Sequence, residues 1–493
     1  MSFWDRFRRP KASPRRLLRN YAGANTGRLF ADWLAGSSKS ADAELRPALR
    51  TLRERSRDLE RNSDYGRRFI EMIKSNVIGS QGIRLQCRAR TDGGDLDVPG
   101  NDLVESAFRT WGQDCSIDGR LTWTQAQSLF VQTVARDGEC LVRLLRKPTN
   151  PYGFSIQIIE ADRLDEEMNG KTRNGEVIRM GIQMSEWERP TAYWLYKDHP
   201  GASDLTRPEL DHIEIPADEM LHAFRKDRPS QHRGVPWMST AMARMRLLDV
   251  YEESEVVASR IGASKMGFFT SELDPESYTG DDLDEHTPVN EVSPGQFEQL
   301  PPGMDFKEFA PDHPTSAFAD FSKSILRGIA SGLGVSYVAL ANNLEGVSYS
   351  SVRAGEMADR DHWKMIQQFV IDEFCTPIYR AWLQSAMTTG ALALPVNKFD
   401  KFSQAAAWTP RSFPYVDPQR EMQSQILGLK SGVLSLADVQ AHYGRDVEEL
   451  FTQLNQEATL AAGMGVDYDF APYGRQVSTF MNEPEQQPTT QEG

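Results

Sequence analysis

Three groups of acidic residues are spaced closely enough to hold a divalent cation or to share acid–base work. They are Asp137-Gly138-Glu139, Asp281-Asp282-Leu283-Asp284-Glu285 and Asp359-Arg360-Asp361-His362. A metal-dependent DNA-processing enzyme could use Asp137 and Glu139, or the acids of 281–285, because hard cations take carboxylate oxygens as ligands. Each group also has a plainer reading. Asp-Gly is a common turn dipeptide, and an acidic run set among Gly and Pro is a solvated loop. Asp359 and His362 at i, i+3 beside Arg360 suit surface ion pairing on a helix. His222, His232 and His442 stand alone in the sequence and read as structural. There is no Walker A loop, dinucleotide fingerprint, GxSxG or HExxH motif, so the chain is not the ATPase of a DNA-translocating motor. Cys87, Cys115, Cys140 and Cys375 form no CxxC or Cys/His cluster, which points to free thiols in a reducing compartment rather than a zinc site. Neither a metal nor a cofactor is expected.

Composition sets the frame for these groups. A chain of 493 residues, 39% hydrophobic and 26% charged, has buried cores and more than one structural unit. No run of about 18 apolar residues is present to span a bilayer. The first ten residues are basic, and no apolar stretch follows them to make a secretory signal. Net charge is −14, unevenly spread: residues 1–20 carry seven Lys/Arg against one Asp, which leaves −20 on the rest. Such a body would not grip DNA through phosphate contacts, although it is compatible with a conduit along which DNA slides.

The elements that must position these residues read as α+β without regular βαβ alternation. Asp42–Ser80 is helical. Leu45, Leu49, Leu52 and Leu59 make its apolar face, with Arg50, Arg53, Arg55, Arg57 and Arg61 on other faces. Ser63 is placed as an N-cap for a second helix with Phe69, Met72, Ile73 and Val77 inward and Gly79 as its stop. Strand periodicity marks 82–88, 139–145, 154–159, 177–184 and 191–196, with a helix near 123–135. A helical run covers 238–263. Residues 271–312 hold twelve Asp/Glu against one Lys. Thr315 or Ser316 can cap the next helix, whose face is Phe318, Phe321, Ile325 and Ile329, ended by Gly332 and Gly334. A helix over 349–383 carries Ile366, Val370, Phe374, Ile378 and Trp382 in steps of four, with a kink expected at Pro377. Residues 418–462 are helical, and the Glu-, Gln-, Pro- and Thr-rich 482–493 are disordered.

Between the last two long apolar helices lies Gly332–Tyr337, followed by Asn342-Asn343-Leu344-Glu345-Gly346-Val347-Ser348. This polar loop has few side chains to bury and belongs at a surface or a lumen. The arrangement resembles the lambda-type portal proteins of tailed phages. The resemblance rests on segments in the same order: Leu52–Asn62 with Ile73–Gly79, Arg225–Pro236, Glu252–Met266, Gly334–Tyr349 with Ala354–Glu356, Arg360–Lys364, Phe374–Trp382 and Phe413–Pro418. Together they span about residues 43–445.

That resemblance implies a ring homo-oligomer, commonly of twelve subunits, at one capsid vertex. It passes double-stranded DNA, docks the terminase large subunit and a head-completion adaptor, and contacts major capsid and scaffold proteins. It implies a basic N-terminal arm over 1–42 (Arg6, Arg8, Arg9, Arg15, Arg16), a wing over 43–237 and a first stem helix over 238–264. A clip over 265–314 would present Asp281, Asp282, Asp284 and Glu285. A second stem helix spans 315–333, and a tunnel-loop region spans 334–348, whose Asn342, Asn343, Leu344, Glu345, Val347 and Ser348 would line the channel. A tunnel helix and wing return follow over 349–417, a helical crown over 418–462 and a polar tail over 463–493. A DNA-processing enzyme, and a minor capsid or adaptor protein without a channel, remain the alternatives.

Overall fold

A computed structural model describes residues 39–146, 150–202, 211–263, 267–271, 304–308, 317–345, 349–413, 418–443 and 447–465. Arg6, Arg8, Arg9, Arg15 and Arg16, the acids Asp281, Asp282, Asp284 and Glu285, and the loop residues Val347 and Ser348 lie outside the described residues, as do Thr315 and Ser316 and the tail 482–493.

The chain opens with helices α1 (Ala41–Leu45), α2 (Leu49–Asn62) and α3 (Asp64–Ile73), the last continued by a π turn, Lys74–Ile78. Ser63 sits in extended backbone between α2 and α3, but its side chain does not cap α3. Its hydroxyl instead donates to Asp249 at 3.3 Å. Leu49, Leu59, Phe69, Met72, Ile73 and Val77 are buried as the periodicity requires. Arg53 corrects the outward placement of the arginines: it is 2% exposed and points inward. Strand β1 (Arg84–Cys87), helices α4 (Val98–Trp111) and α5 (Trp123–Asp137), and strands β2 (Glu139–Arg146) and β3 (Phe154–Ile159) follow.

The stretch 177–184 is not one strand. After the two-residue β4 (Gly170–Lys171), β5 (Val177–Arg179) turns at Met180 and Gly181 into β6 (Ile182–Met184). Both turn residues have positive φ, 46° and 82°, the conformation of the hairpin turn whose twist matches the strands. Methionine is unusual there, and its backbone is held at both ends. Its N–H donates to Asn169 Oδ1 at 3.1 Å and its carbonyl accepts from Arg233 at 2.9 Å. Strands β7 (Pro190–Tyr196), β8 (His212–Pro216) and β9 (Met220–Phe224) complete two sheets, ordered β3-β2-β9 and β4-β5-β6-β7-β8, with every named pair antiparallel.

Helix α6 (Met242–Ala263) leads to β10 (Gly267–Ser271), which pairs antiparallel with β11 (Met304–Glu308) ahead of α7 (Ala317–Leu333). The buried face of α7 is Leu326, Ile329, Ala330 and Leu333, whereas Phe321 is 48% exposed. A short helix, α8 (Tyr337–Ala341), interrupts the expected loop before α9 (Tyr349–Val370). A π turn, Ile371–Cys375, joins α9 to α10 (Thr376–Thr388). That turn explains the step-of-four stripe. Four residues of α-helix overshoot a full turn by about 40°, and the wider π turn rotates the face back. Ile366, Val370, Phe374, Ile378 and Trp382 are therefore all buried. Pro377 stands in the first turn of α10, where its missing N–H is tolerated.

Helix α11 (Phe399–Gln404) precedes β12 (Ala406–Thr409), which returns to pair with β1 from Arg84↔Thr409 to Cys87↔Ala406. Helices α12 (Pro418–Lys430), α13 (Leu436–His442) and α14 (Val447–Gly463) end the described chain. The main core is aromatic. Trp382 meets Phe108 edge-on at 5.0 Å, and Trp123 stacks on Phe374 at 5.2 Å. The whole is a mixed helix-and-sheet protein, as expected. No helix among the described residues is long and apolar enough to cross a membrane, and the four cysteines are free and buried.

Candidate functional site

Asp137 and Glu139 come together, but as structural ions. Gly138 ends α5 with φ 91°, so the Asp-Gly turn reading is right. The turn also lets two backbones touch: a Cβ on Gly234 would lie 2.1 Å from the Gly138 carbonyl oxygen. This brings Gly234 N–H to Glu139 Oε2 at 3.0 Å. Arg233 donates to both oxygens of Glu139 at 2.7–3.0 Å, Arg53 adds 3.1 Å, and His222 Nε2 lies 2.9 Å away. Arg57 and Arg136 each grip Asp137 through two hydrogen bonds of 2.8–3.0 Å, and Arg53 and Arg57 reach on to Asp162.

Burial alone would raise the Glu139 carboxyl, yet Arg233 and His222 hold it well below its usual range. Burial in turn lowers His222, against the pull of Glu139, so His222 is neutral near pH 7 and donates. With both Glu139 oxygens occupied and both acids fully buried, no position is left for a metal or a substrate. The enzyme reading therefore loses its first acid pair. His222 and His232 are structural as expected, although neither is isolated: His232 Nδ1 lies 2.7 Å from Asp42. Glu160, Asp162 and His199 also approach one another, but Asp162 is already held by Arg53 and Arg57.

The polar loop is mounted differently. Gly334, at φ 70°, ends α7, and Ser336 caps α8 by accepting from Ala339 N–H. The Ser336 N–H donates to Asp359 Oδ1 at 3.0 Å. Asp359 is thus an anchor for the loop rather than a surface ion pair. Burial pushes its carboxyl up, against the Ser336 bonds and His362. Arg68 on α3 donates to the Ala339 carbonyl at 3.3 Å, and Arg327 on α7 lies over the Tyr337 ring at 5.6 Å. Asn342 closes α8 in the left-handed conformation, a role asparagine fills readily. Asn343 donates to Tyr337 OH at 3.2 Å and accepts the Glu345 N–H at 2.9 Å. Asn343 is therefore half-buried and local, whereas Leu344 (68% exposed) and Glu345 project outward. Sequence reasoning missed Tyr337, Arg327 and Arg68, since none carries a pattern that predicts such a support.

The sequence model described as "Phage portal protein, lambda family" matches residues 26–367. This chain belongs to that family. Over 478 residues it is 34% identical to the probable portal protein of Halomonas phage phiHAP-1, covering 94% of this chain and 91% of that protein. It is 24% identical over 484 residues to portal protein B of Escherichia phage lambda, covering 89% and 90% respectively. A solved chain from the virion of a native gene transfer agent particle aligns over 79% of this chain and 91% of its own length, at 11% identity and a TM-score of 0.42. The subunit is accordingly a phage portal protein, a structural component of the virion whose part in moving the genome follows from its family.

Proposed function

We propose that copies of this portal subunit close into a ring of about twelve at one capsid vertex, and that double-stranded DNA is packaged and ejected through the axial hole. The carrying observation is the exposed Leu344–Glu345 tip, set on a support tied to three separate helices. In a ring, each copy adds one Glu345 carboxylate to a circle of negative charge. Like charge keeps phosphate from adhering and lets the duplex slide. Asn342, Asn343, Leu344, Glu345, Val347 and Ser348 form the channel constriction in this reading.

The wing is 43–237 with the return over 349–417, the stem is 238–264 and 315–333, and the crown is 418–462. The antiparallel pairing of β10 with β11 supports a clip over 265–314, since it gathers both ends of that insertion. The acids Asp281, Asp282, Asp284 and Glu285 of the clip face the terminase large subunit and later the head-completion adaptor. The arm with Arg6, Arg8, Arg9, Arg15 and Arg16 contacts DNA, scaffold or the major capsid protein. Assembly takes place in the host cytoplasm. Native mass spectrometry with cryo-EM tests the ring: masses near twelve times 55.6 kDa and an open axial hole are expected, and a closed disc removes the conduit.

A further inference from the structure

The most exposed large apolar side chain among the described residues is Trp187, at 84%. It stands on the turn between β6 and β7, where small and polar residues are the rule. The turn is built to hold it there. Ser185 N–H donates to the Arg189 carbonyl at 2.9 Å, Glu188 N–H donates to the Ser185 carbonyl at 3.1 Å, and Glu188 takes a positive φ of 57°. Covering an indole removes about 150–250 Å² from water, and tryptophan is enriched among the residues that dominate binding surfaces.

The start of the described chain lies beside this turn. Arg228 donates to the Lys39 carbonyl at 3.1 Å and pairs with Glu44 at 2.8 Å. Asp42 lies 2.7 Å from His232 Nδ1, and His232 Nε2 lies 3.8 Å from Glu188 Oε2. Arg179 spans the same gap, 3.9 Å from Asp42 and 3.4 Å from Glu188. A single side chain therefore separates α1 from the Trp187 turn. Upstream of Lys39 the sequence reads Arg28-Leu29-Phe30-Ala31-Asp32-Trp33-Leu34, with four large apolar residues in six positions. Leu34 precedes Lys39 by five residues, a span of up to about 17 Å when extended.

We propose that the segment Leu29–Leu34 docks on the Trp187 turn of the same chain and covers its indole. Two observations select this occupant. The tether is short, and a short tether holds a segment at a local concentration on the order of millimolar at any site within its reach. Charge also matches: Arg28 and Asp32 belong to the segment, Glu186 and Arg189 are exposed on the turn, and each finds an opposite charge to meet. The contact lies within one subunit and does not depend on ring closure. It gives the basic arm a fixed origin, since the residues from Arg6 to Arg19 then extend from the Trp187 turn rather than from α1.

Hydrogen exchange read by mass spectrometry on the full-length protein tests the contact from both sides. Trp187→Ser removes the indole and is expected to speed exchange across 28–34 by about tenfold or more, with β2 unchanged. Phe30→Ser with Trp33→Ser is expected to do the same across 185–189. Unchanged exchange in both segments would overturn the docking. Thiol crosslinking keeps Trp187 in place and identifies the copy that supplies the segment. The native cysteines are all buried, so Ala31→Cys and Glu186→Cys provide the reactive thiols for a short bis-maleimide. A linked pair of peptides is expected, with the protein still at monomer mass on a denaturing gel. A ladder of covalent multimers would overturn the same-chain occupant and assign the segment to a neighbouring copy. Absence of any link would overturn the contact itself.

Discussion

Glu139 receives hydrogen bonds from Arg53, Arg233, Gly234 and His222 in a site fully closed to water. Removing one member of such a group strands the others, at a cost of about 3–5 kcal/mol. Glu139→Gln keeps the shape and removes the charge, so urea titration should show a loss of that size. A loss under 1 kcal/mol would mean that the arginines find other partners. The same group predicts how stability changes with acid. His222 is lowered in the folded protein, and the unfolded chain takes up a proton near its ordinary value of about 6.5. Glu139 is held low as well. For both groups the unfolded chain binds more protons, so stability is present at neutral pH and falls with acidification. The His222 contribution declines below about pH 6.5, and that of Glu139 declines below about pH 4. His222→Gln, which can still donate to Glu139, should flatten the first decline in melting temperature and leave the second. None of this was legible in the sequence. Arg53, Glu139 and Arg233 are joined by the fold across 86 and 94 positions, and an arginine inside a helix reads as solvated until its partner is known.

Elements were far more legible than the ion group, and the exceptions have physical causes. Long amphipathic helices declared themselves: the stripe from Ile366 to Trp382 is wholly buried. The kink was expected from Pro377 alone, whereas the π turn Ile371–Cys375 that resets the helix face just before it carries no signal in the periodicity. Trp382→Ala should cost about 3–5 kcal/mol, and deleting Asp372 should cost more. The deletion removes the residue that widens the turn, and so swings Ile378 and Trp382 off the core together. Equal effects from the two changes would show that register across the π turn is unimportant. Strands β9 and β12 left no alternation to read, that of β8 (His212-Ile213-Glu214-Ile215) was passed over, and Val177–Met184 passed for one strand because the turn at Met180–Gly181 begins on a methionine rather than the usual asparagine or glycine. The loop after α8 was placed correctly between two long helices, but its support was not. Tyr337→Phe keeps the ring under Arg327 and removes the hydroxyl that receives Asn343. Ring mass should be unchanged, while a spin label at position 345 becomes more mobile. Glu345→Lys should likewise leave the ring mass unchanged and lower the DNA content per head; full heads would refute the charged constriction.

At the scale of the whole molecule, the subunit combines a core closed by aromatic packing with helices that keep apolar side chains such as Leu247 and Val257 exposed. Leu247 and Val257 are 68% and 49% exposed on a lone subunit, so the free subunit should self-associate at lower concentration as temperature rises. Light scattering across a temperature series would show this, and a subunit that remains monomeric throughout would oppose it. The pairing of β1 with β12 adds a constraint of another kind. The Thr409 hydroxyl reaches Gln86 across 323 positions, so the two-stranded sheet cannot form until the chain has been extended that far beyond its first strand. At about 5–20 residues per second, the early strand waits roughly 15–65 s for its partner. A subunit still being translated is therefore an incomplete one. Its early helices can form, but the strand that pairs with β1 follows 323 positions later, and competence for assembly is delayed by that interval.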